Sequence, residues 1–247
     1  MFREPVVYVP RTGKANLLFV LFHGNGASPV QLFPLADVLK QAFAQAMVVL
    51  PYGFPEHAQA TDPVLGQEKT TGIQRYHWGA SEHWVSAPDA TLQQGALSGL
   101  VDQIRSWQQY AGLSGQQTAL AGFSQGAALA LEAGRQVPDL AGRILAFSGN
   151  YVVLPEQAPP ATLLHFFHGS NDSVVQLSHV KATLDHLSEL QGDATLDIAQ
   201  GLGHELHQSL MHQAVVRLTT TIPLRSWKEA LSGLSEQHQG DTLKGQS

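Results

Sequence analysis

The chain has 247 residues, a net charge of −6 and no cysteine. That length suits one large α/β domain or two small ones, with enough chain to bury a substantial core. The charge balance offers no basic patch for nucleic acid or an anionic membrane, and the missing cysteines exclude disulfides, thiolate metal sites and a cysteine nucleophile.

Met1-Phe2-Arg3-Glu4-Pro5 carries no charged-then-apolar leader pattern. No apolar run approaches the ~18 residues of a membrane-spanning helix, and a cytoplasmic location is the expectation. Val6-Val7-Tyr8-Val9 reads as a first, edge strand. Beyond a turn, Leu17-Leu18-Phe19-Val20-Leu21-Phe22 is a continuous apolar run. Such a run suits a strand covered on both faces, as in a parallel sheet. His23-Gly24-Asn25-Gly26 follows it, and a helix is predicted over residues 31–46, with Leu32, Leu35, Val38, Leu39 and Ala42 on one face. Met47-Val48-Val49-Leu50-Pro51 reads as a second buried strand.

Residues 52–89 mix Pro, Gly, His and aromatics without a period. Long loops of this kind in compact domains are usually functional. A helix is predicted over 91–110, a short buried strand over 117–121 and a helix over 127–133. Strands at 143–147, 162–167 and 194–198 then alternate with helices at 175–190 and 205–219, and one short helix is expected at 223–233. Residues 1–233 are read as a single domain. Residues 234–247 form a polar tail expected to be disordered. Alternating strands and helices of this length predict an α/β fold, a mostly parallel central sheet with helices on both faces. In such sheets the site lies beyond the carboxyl ends of the strands.

Gly122-Phe123-Ser124-Gln125-Gly126 sits between a predicted strand and a predicted helix. That is the context of a nucleophile elbow, a tight turn that lifts a serine hydroxyl clear of the sheet. Side chains two residues before and after the serine would collide across such a turn, and glycine at both places removes the collision. The pentapeptide alone is weak, since at this chain's composition it arises by chance in roughly one chain in seven. Its neighbours strengthen it. Asp172 and His204 each follow another predicted strand, so all three residues face the same rim. Their order, Ser then Asp then His, is that of an α/β-hydrolase.

Serine is a poor nucleophile at neutral pH and needs a base, with a third group to orient that base. His204 is the candidate base and Asp172 the candidate orienter. Of the competing aspartates Asp185, Asp193 and Asp197, none sits just past a strand end. His23 is read as a support for its loop, and His207 and His212 as solvated positions on the last long helix. The developing oxyanion needs donors. Those expected are the backbone N–H groups of Gln125 and of Asn25, which Gly24 and Gly26 flank. No phosphate-binding glycine loop and no H-E-x-x-H zinc motif is present, and neither cofactor nor metal is expected.

Four segments, His23 to Gly26, Gly122 to Gly126, His168-Gly169-Ser170-Asn171-Asp172-Ser173-Val174-Val175 and Gly201-Leu202-Gly203-His204, together resemble a known family. It is the carboxylesterase, acyl-protein thioesterase and lysophospholipase-like branch of the α/β-hydrolases. The resemblance runs from about residue 16 to residue 220, and it is strongest to small bacterial serine esterases. It implies the α/β-hydrolase fold and hydrolysis of a small-molecule carboxylic ester or thioester through an acyl-enzyme on Ser124. Ser173 stands where the family has proline, and the stretch from Arg75 to Trp84 matches the thioesterases' substrate loop poorly. The short connection at 149–161 leaves no room for a lid domain, so an open site is expected, with Trp78, Trp84 and Tyr151 as candidate wall residues. An acyltransferase or perhydrolase using the same acyl-enzyme, and a hydrolase-like binding protein without activity, are the alternatives. Oligomeric state stays open.

Overall fold

The computed structural model describes residues 3–55, 74–79 and 90–220. The elements in chain order are β1 (Val6–Tyr8), β2 (Leu17–Phe22), α1 (Phe33–Ala42), β3 (Ala46–Leu50), β4 (Phe54–Pro55), β5 (Tyr76–His77), α2 (Ala90–Ala111), β6 (Thr118–Phe123), α3 (Gln125–Gln136), β7 (Arg143–Phe147), β8 (Leu163–Gly169), α4 (Leu177–Glu189), β9 (Ala194–Ala199) and α5 (Gln208–Thr220). Seven strands form one sheet in the order β1-β3-β2-β6-β7-β8-β9, while β4 and β5 make a separate two-stranded ribbon. Within the large sheet only β1 runs antiparallel, at the edge beside β3. The other pairings in that sheet are parallel.

Side chains alternate along a strand, and each apolar run therefore feeds two cores at once. In β2, Leu18, Val20 and Phe22 enter one core and Phe19 and Leu21 the other. β7 divides likewise, Ile144 and Ala146 against Leu145 and Phe147. The first core is covered by α2, α3 and α4, through residues such as Ile104, Leu131 and Val180. The second is covered by α1 and α5, through Leu35, Leu39, Leu210 and Ala214. Phe19, Phe22, Phe147, Phe166 and Phe167 are fully buried, each worth about 1.5–3 kcal/mol by transfer from water. The two-faced parallel sheet predicted from the apolar runs is the fold observed.

The helix starts differ from the expectations. The predicted helix at 31–46 begins as a 3₁₀ turn, Pro29–Leu32, and becomes α1 only at Phe33. Prolines near the start of both segments fix the entry φ without losing a helical N–H bond, and Ala46 belongs to β3. α4 begins at Leu177 rather than 175, since Gln176 is still extended, with ψ 132°. α5 begins at Gln208, because His207 precedes it and Nδ1 of His207 accepts the Ser209 N–H. His207 is thus exposed but off the helix, while His212 is exposed on it. Between β7 and β8 no helix or strand intervenes, and no lid is inserted there. Trp84, the predicted helix at 223–233 and the tail at 234–247 lie outside the described residues.

All parallel strands point the same way, so the loops after β2, β6, β7, β8 and β9 meet at one rim. Ser124, Asp172, His204 and Asn25 all lie in those loops or at their ends.

Candidate active site

Ser124 joins β6 to α3 with φ 55° and ψ −117°. A left-handed φ is costly for a residue with a Cβ, of order 1–3 kcal/mol, and persists only where the surroundings enforce it. The enforcement is visible. The Ser124 N–H donates to Phe147 O at 2.9 Å. A Cβ on Gly122 would come within 2.2 Å of the Gly126 carbonyl, and one on Gly126 within 2.1 Å of Phe22 O. Both glycines are therefore required by close backbone approach, Gly122 across the turn as expected from the sequence and Gly126 instead against the end of β2. α3 starts directly at Gln125, whose N–H is among those without an intrahelical acceptor, at the positive end of the helix dipole.

Asp172 is buried just beyond β8. Its Oδ1 accepts the Val174 and Val175 N–H groups, each at 2.9 Å, and its Oδ2 lies 2.8 Å from His204 Nδ1. Burial pushes this carboxyl up, but donation from Val175, His204 and Val174 outweighs it and holds the group below the usual aspartate range. The contact fixes the imidazole tautomer. With Nδ1–H on the carboxylate, the Nε2 lone pair is free to take a proton. His168 is fully buried behind the acid. Its Nε2–H donates to Val175 O at 2.7 Å and lies 3.4 Å from Asp172 Oδ2. In the sequence His168 is only one letter of a motif, whereas here it closes the acid loop on itself.

The structure brings Asp172 and His204 into direct contact and sets His204 against the elbow, its ring 4.9 Å from that of Phe123. Among the described residues His204 makes no hydrogen bond to Ser124, and such bonds are often long until substrate binds. Asp197 is otherwise engaged, since Arg217 donates to it twice at 2.8 Å and Gln213 once at 3.1 Å.

The loop after β2 brings Asn25 to the same rim. Asn25 is exposed in a turn closed by the Ala27 N–H on Gly24 O, with Gly26 at φ 67°. The Gly24 N–H donates to Gln31 Oε1 at 2.7 Å, a support the sequence did not reveal. His23 supports the loop as expected. It is fully buried, its Nδ1–H donating to Gly24 O at 2.8 Å and its Nε2 accepting the Gly53 N–H at 3.2 Å. Burial lowers its pKa to about 4, so it is neutral.

Of the candidate wall residues, Trp78 is 6% exposed, and its indole Nε1–H donates to His23 O at 2.8 Å. Tyr151 is 7% exposed in the core beneath α3, its hydroxyl without a hydrogen-bond partner among the described residues. Trp78 nonetheless lines a pocket, together with Tyr52, Phe54, Leu100 and Leu129. The described residues contain no group of three or more metal-ligating side chains, and no helix among them is long and apolar enough to cross a membrane.

A two-faced parallel sheet with a strained serine between β6 and α3, and a buried acid paired with a part-exposed histidine on the next rim loops, defines an α/β-hydrolase. The family model described as phospholipase/carboxylesterase matches residues 4–222. Esterase YpfH of Escherichia coli is 34% identical over 219 residues, covering 89% of each chain. Acyl-protein thioesterase 1 of Eremothecium gossypii is 28% identical, covering 85% of this chain and 90% of its own. A crystal structure of esterase PE8 superposes with a TM-score of 0.70 at 27% identity, covering 89% of this chain and 99% of its own. The chain belongs to the phospholipase/carboxylesterase family of α/β-hydrolases, and it is an esterase.

Proposed function

We propose that the chain hydrolyses small, short-acyl carboxylic esters or thioesters through an acyl-enzyme on Ser124. Ser124 Oγ attacks the carbonyl carbon while its proton passes to His204 Nε2, and the carbonyl π pair moves onto oxygen. The resulting oxyanion is held by the N–H groups of Asn25 and Gln125. When the tetrahedral species collapses, the bond to the leaving oxygen or sulfur breaks, and that atom takes the proton from His204. Water then repeats the sequence on the acyl-enzyme, its proton going to His204 and returning to Ser124. Asp172 stays ionised and stabilises the imidazolium formed at each attack.

The observation that carries this reading is the 2.8 Å contact from His204 Nδ1 to Asp172 Oδ2, made beside the elbow. A neutral imidazole so oriented is what a serine at a strained turn needs as base. The missing lid between β7 and β8 leaves the site open on that side, and the acyl-length preference is what the substrate panel measures. The test is a panel of esters and thioesters of graded acyl length, run on wild type and Ser124→Ala. Turnover and labelling by a fluorophosphonate are expected to vanish in the variant while the fold survives. Labelling that persists in Ser124→Ala removes Ser124 from the mechanism. Rates that climb steadily with acyl length overturn the short-acyl preference.

A further inference from the structure

The loop carrying Asn25 is not held by its own sequence neighbours alone. The β4–β5 ribbon, far away along the chain, grips it at three points. The Tyr76 N–H donates to Ala27 O at 3.0 Å, pairing the loop with β5. The Gly53 N–H, just before β4, donates to His23 Nε2 at 3.2 Å. The Trp78 indole donates to His23 O at 2.8 Å, and its ring lies 4.8 Å from the His23 imidazole. A fourth bond ties the ribbon to the elbow, since the Trp78 backbone N–H donates to the Gln125 side-chain Oε1 at 3.1 Å. The edge of the Trp78 ring also meets Phe22, with centroids 5.5 Å apart.

These contacts share a geometry. Asn25 and Gln125 lie on two separate stretches of chain, and their N–H groups must converge on one oxygen to within a few tenths of an ångström. Trp78 touches both stretches, through its indole on the carbonyl two residues before Asn25 and through its backbone on Gln125. We propose that Trp78, together with the Gln125 side chain, is a positioning clamp that sets the spacing between the two oxyanion donors. This rests on the reading of Asn25 and Gln125 as those donors. On this view the glutamine of the elbow pentapeptide has two separable jobs. Its N–H faces the substrate, while its carboxamide faces away and holds the ribbon.

A donor held at the wrong distance stabilises the transition state less and affects the ground-state carbonyl hardly at all. Loosening the clamp should therefore lower kcat and leave KM alone. Trp78→Phe keeps a ring against Phe22 and His23 but deletes the indole N–H. Gln125→Met keeps side-chain length but deletes the acceptor, leaving the Gln125 backbone N–H in place. Each is expected to fold, to titrate fully with a fluorophosphonate, and to lose about tenfold in kcat with KM within about twofold of wild type. That loss is smaller than the ~10²–10³ caused by removing an oxyanion donor outright. The affinity for a trifluoromethyl ketone, whose serine adduct carries the oxyanion, should fall by the same factor as kcat/KM. The midpoint of the pH–rate profile should not move, because the bond between His204 and Asp172 is untouched.

A wild-type kcat in folded Trp78→Phe overturns the clamp, as does an equal loss in KM with unchanged trifluoromethyl ketone affinity relative to substrate. Should Trp78→Phe fail to fold, Gln125→Met decides by the same criteria. Ser124→Ala, assayed alongside, separates the two levels of failure. Turnover surviving in Ser124→Ala removes the serine mechanism and the clamp with it, whereas an inactive Ser124→Ala beside a wild-type Trp78→Phe removes the clamp alone.

Discussion

Two loops at the rim are held by different balances of local and distant bonds. The acid loop after β8 is closed on itself by Val174 and Val175 donating to Asp172 and by His168 reaching Val175 O, and it is tied to the neighbouring histidine loop by the Ser170 and Asn171 N–H groups on Ala199 O and Leu202 O. The loop after β2 is held from a distance, by Gly53 and Trp78 against His23 and by Tyr76 against Ala27. The bonds inside the acid loop need only a short motif, and its distant bonds run to the loop that carries His204, so acid and base are held as one unit. A remotely held loop is sensitive to whatever its distant partners do. The two loops should therefore break under different insults.

The largest effect is expected on the acid side. Asp172→Asn keeps the shape and the acceptor for Val174 and Val175, but it can present an N–H to His204 and favour the wrong imidazole tautomer. In the chymotrypsin-like serine proteases the same aspartate-to-asparagine change lowers kcat by about 10⁴, and a loss of that order is expected here on a soluble ester. A near-wild-type kcat at neutral pH would release Asp172 from the role. Asp197 would not replace it, being held by Arg217 and Gln213.

Acid should sort the loops by a different measure. His23 has its pKa lowered to about 4, chiefly by burial and further by His77, against the bond to Gly24 O. His165, in the core, is likewise lowered to about 4 by burial and by Arg143. A histidine with a lowered folded pKa takes up its proton at lower pH in the folded state than in the unfolded chain, whose value is near ~6.5. The unfolded state therefore binds more protons between those limits, and stability falls as pH falls through that window. By pH 5 the loss is about 2 kcal/mol per buried histidine. Asp172 acts in a lower window. Its depressed pKa adds stability that is complete above the ordinary carboxylate value and is lost only as pH falls below it. Urea unfolding at pH 7, 6 and 5 should show the loss before Asp172 begins to protonate. A flat profile over that range would mean that His23 and His165 take up protons in the folded state over the same range as in the unfolded chain.

The same contrast explains what is legible in the sequence. β2, β7 and β8 are readable because a strand buried on both faces must be apolar throughout. The elbow is readable because glycine is the only residue type that fits at 122 and 126, where a Cβ would meet backbone within 2.2 Å. Asp172 is separable from Asp197 because it alone lies past a strand end, and its partners Val174 and Val175 are within three residues. The ribbon is not readable. Trp78 contacts Gln125 across 47 residues and His23 across 55, and neither bond leaves a local pattern. Sequence alone consequently offers Trp78 only as a candidate wall residue and shows neither of these bonds. Helix starts shift by two or three residues because backbone conformation at the junction decides them, Gln176 staying extended ahead of α4 and His207 accepting the Ser209 N–H at the start of α5.

The smallest effect belongs to the loop after β2, and it is informative because it is small. Asn25 is exposed, and its proposed contribution is the backbone N–H, which every residue except proline supplies. What orients that N–H is the framework around it: the Gly24 N–H on Gln31, the carbonyl of His23 under Trp78, and the turn closed onto Gly24 O. None of these involves the Asn25 side chain. Asn25→Ala should therefore keep kcat within about threefold of wild type on a soluble ester, with KM unchanged. If the carboxamide itself donated to the oxyanion, its removal would cost about 10²–10³ in kcat. The two outcomes differ by at least an order of magnitude, so steady-state kinetics on titrated active sites will separate them. A large loss would transfer the donor from backbone to side chain. It would also weaken the case that Trp78 acts at this loop, because a flexible side chain can find an oxyanion without a peptide held in register beneath it.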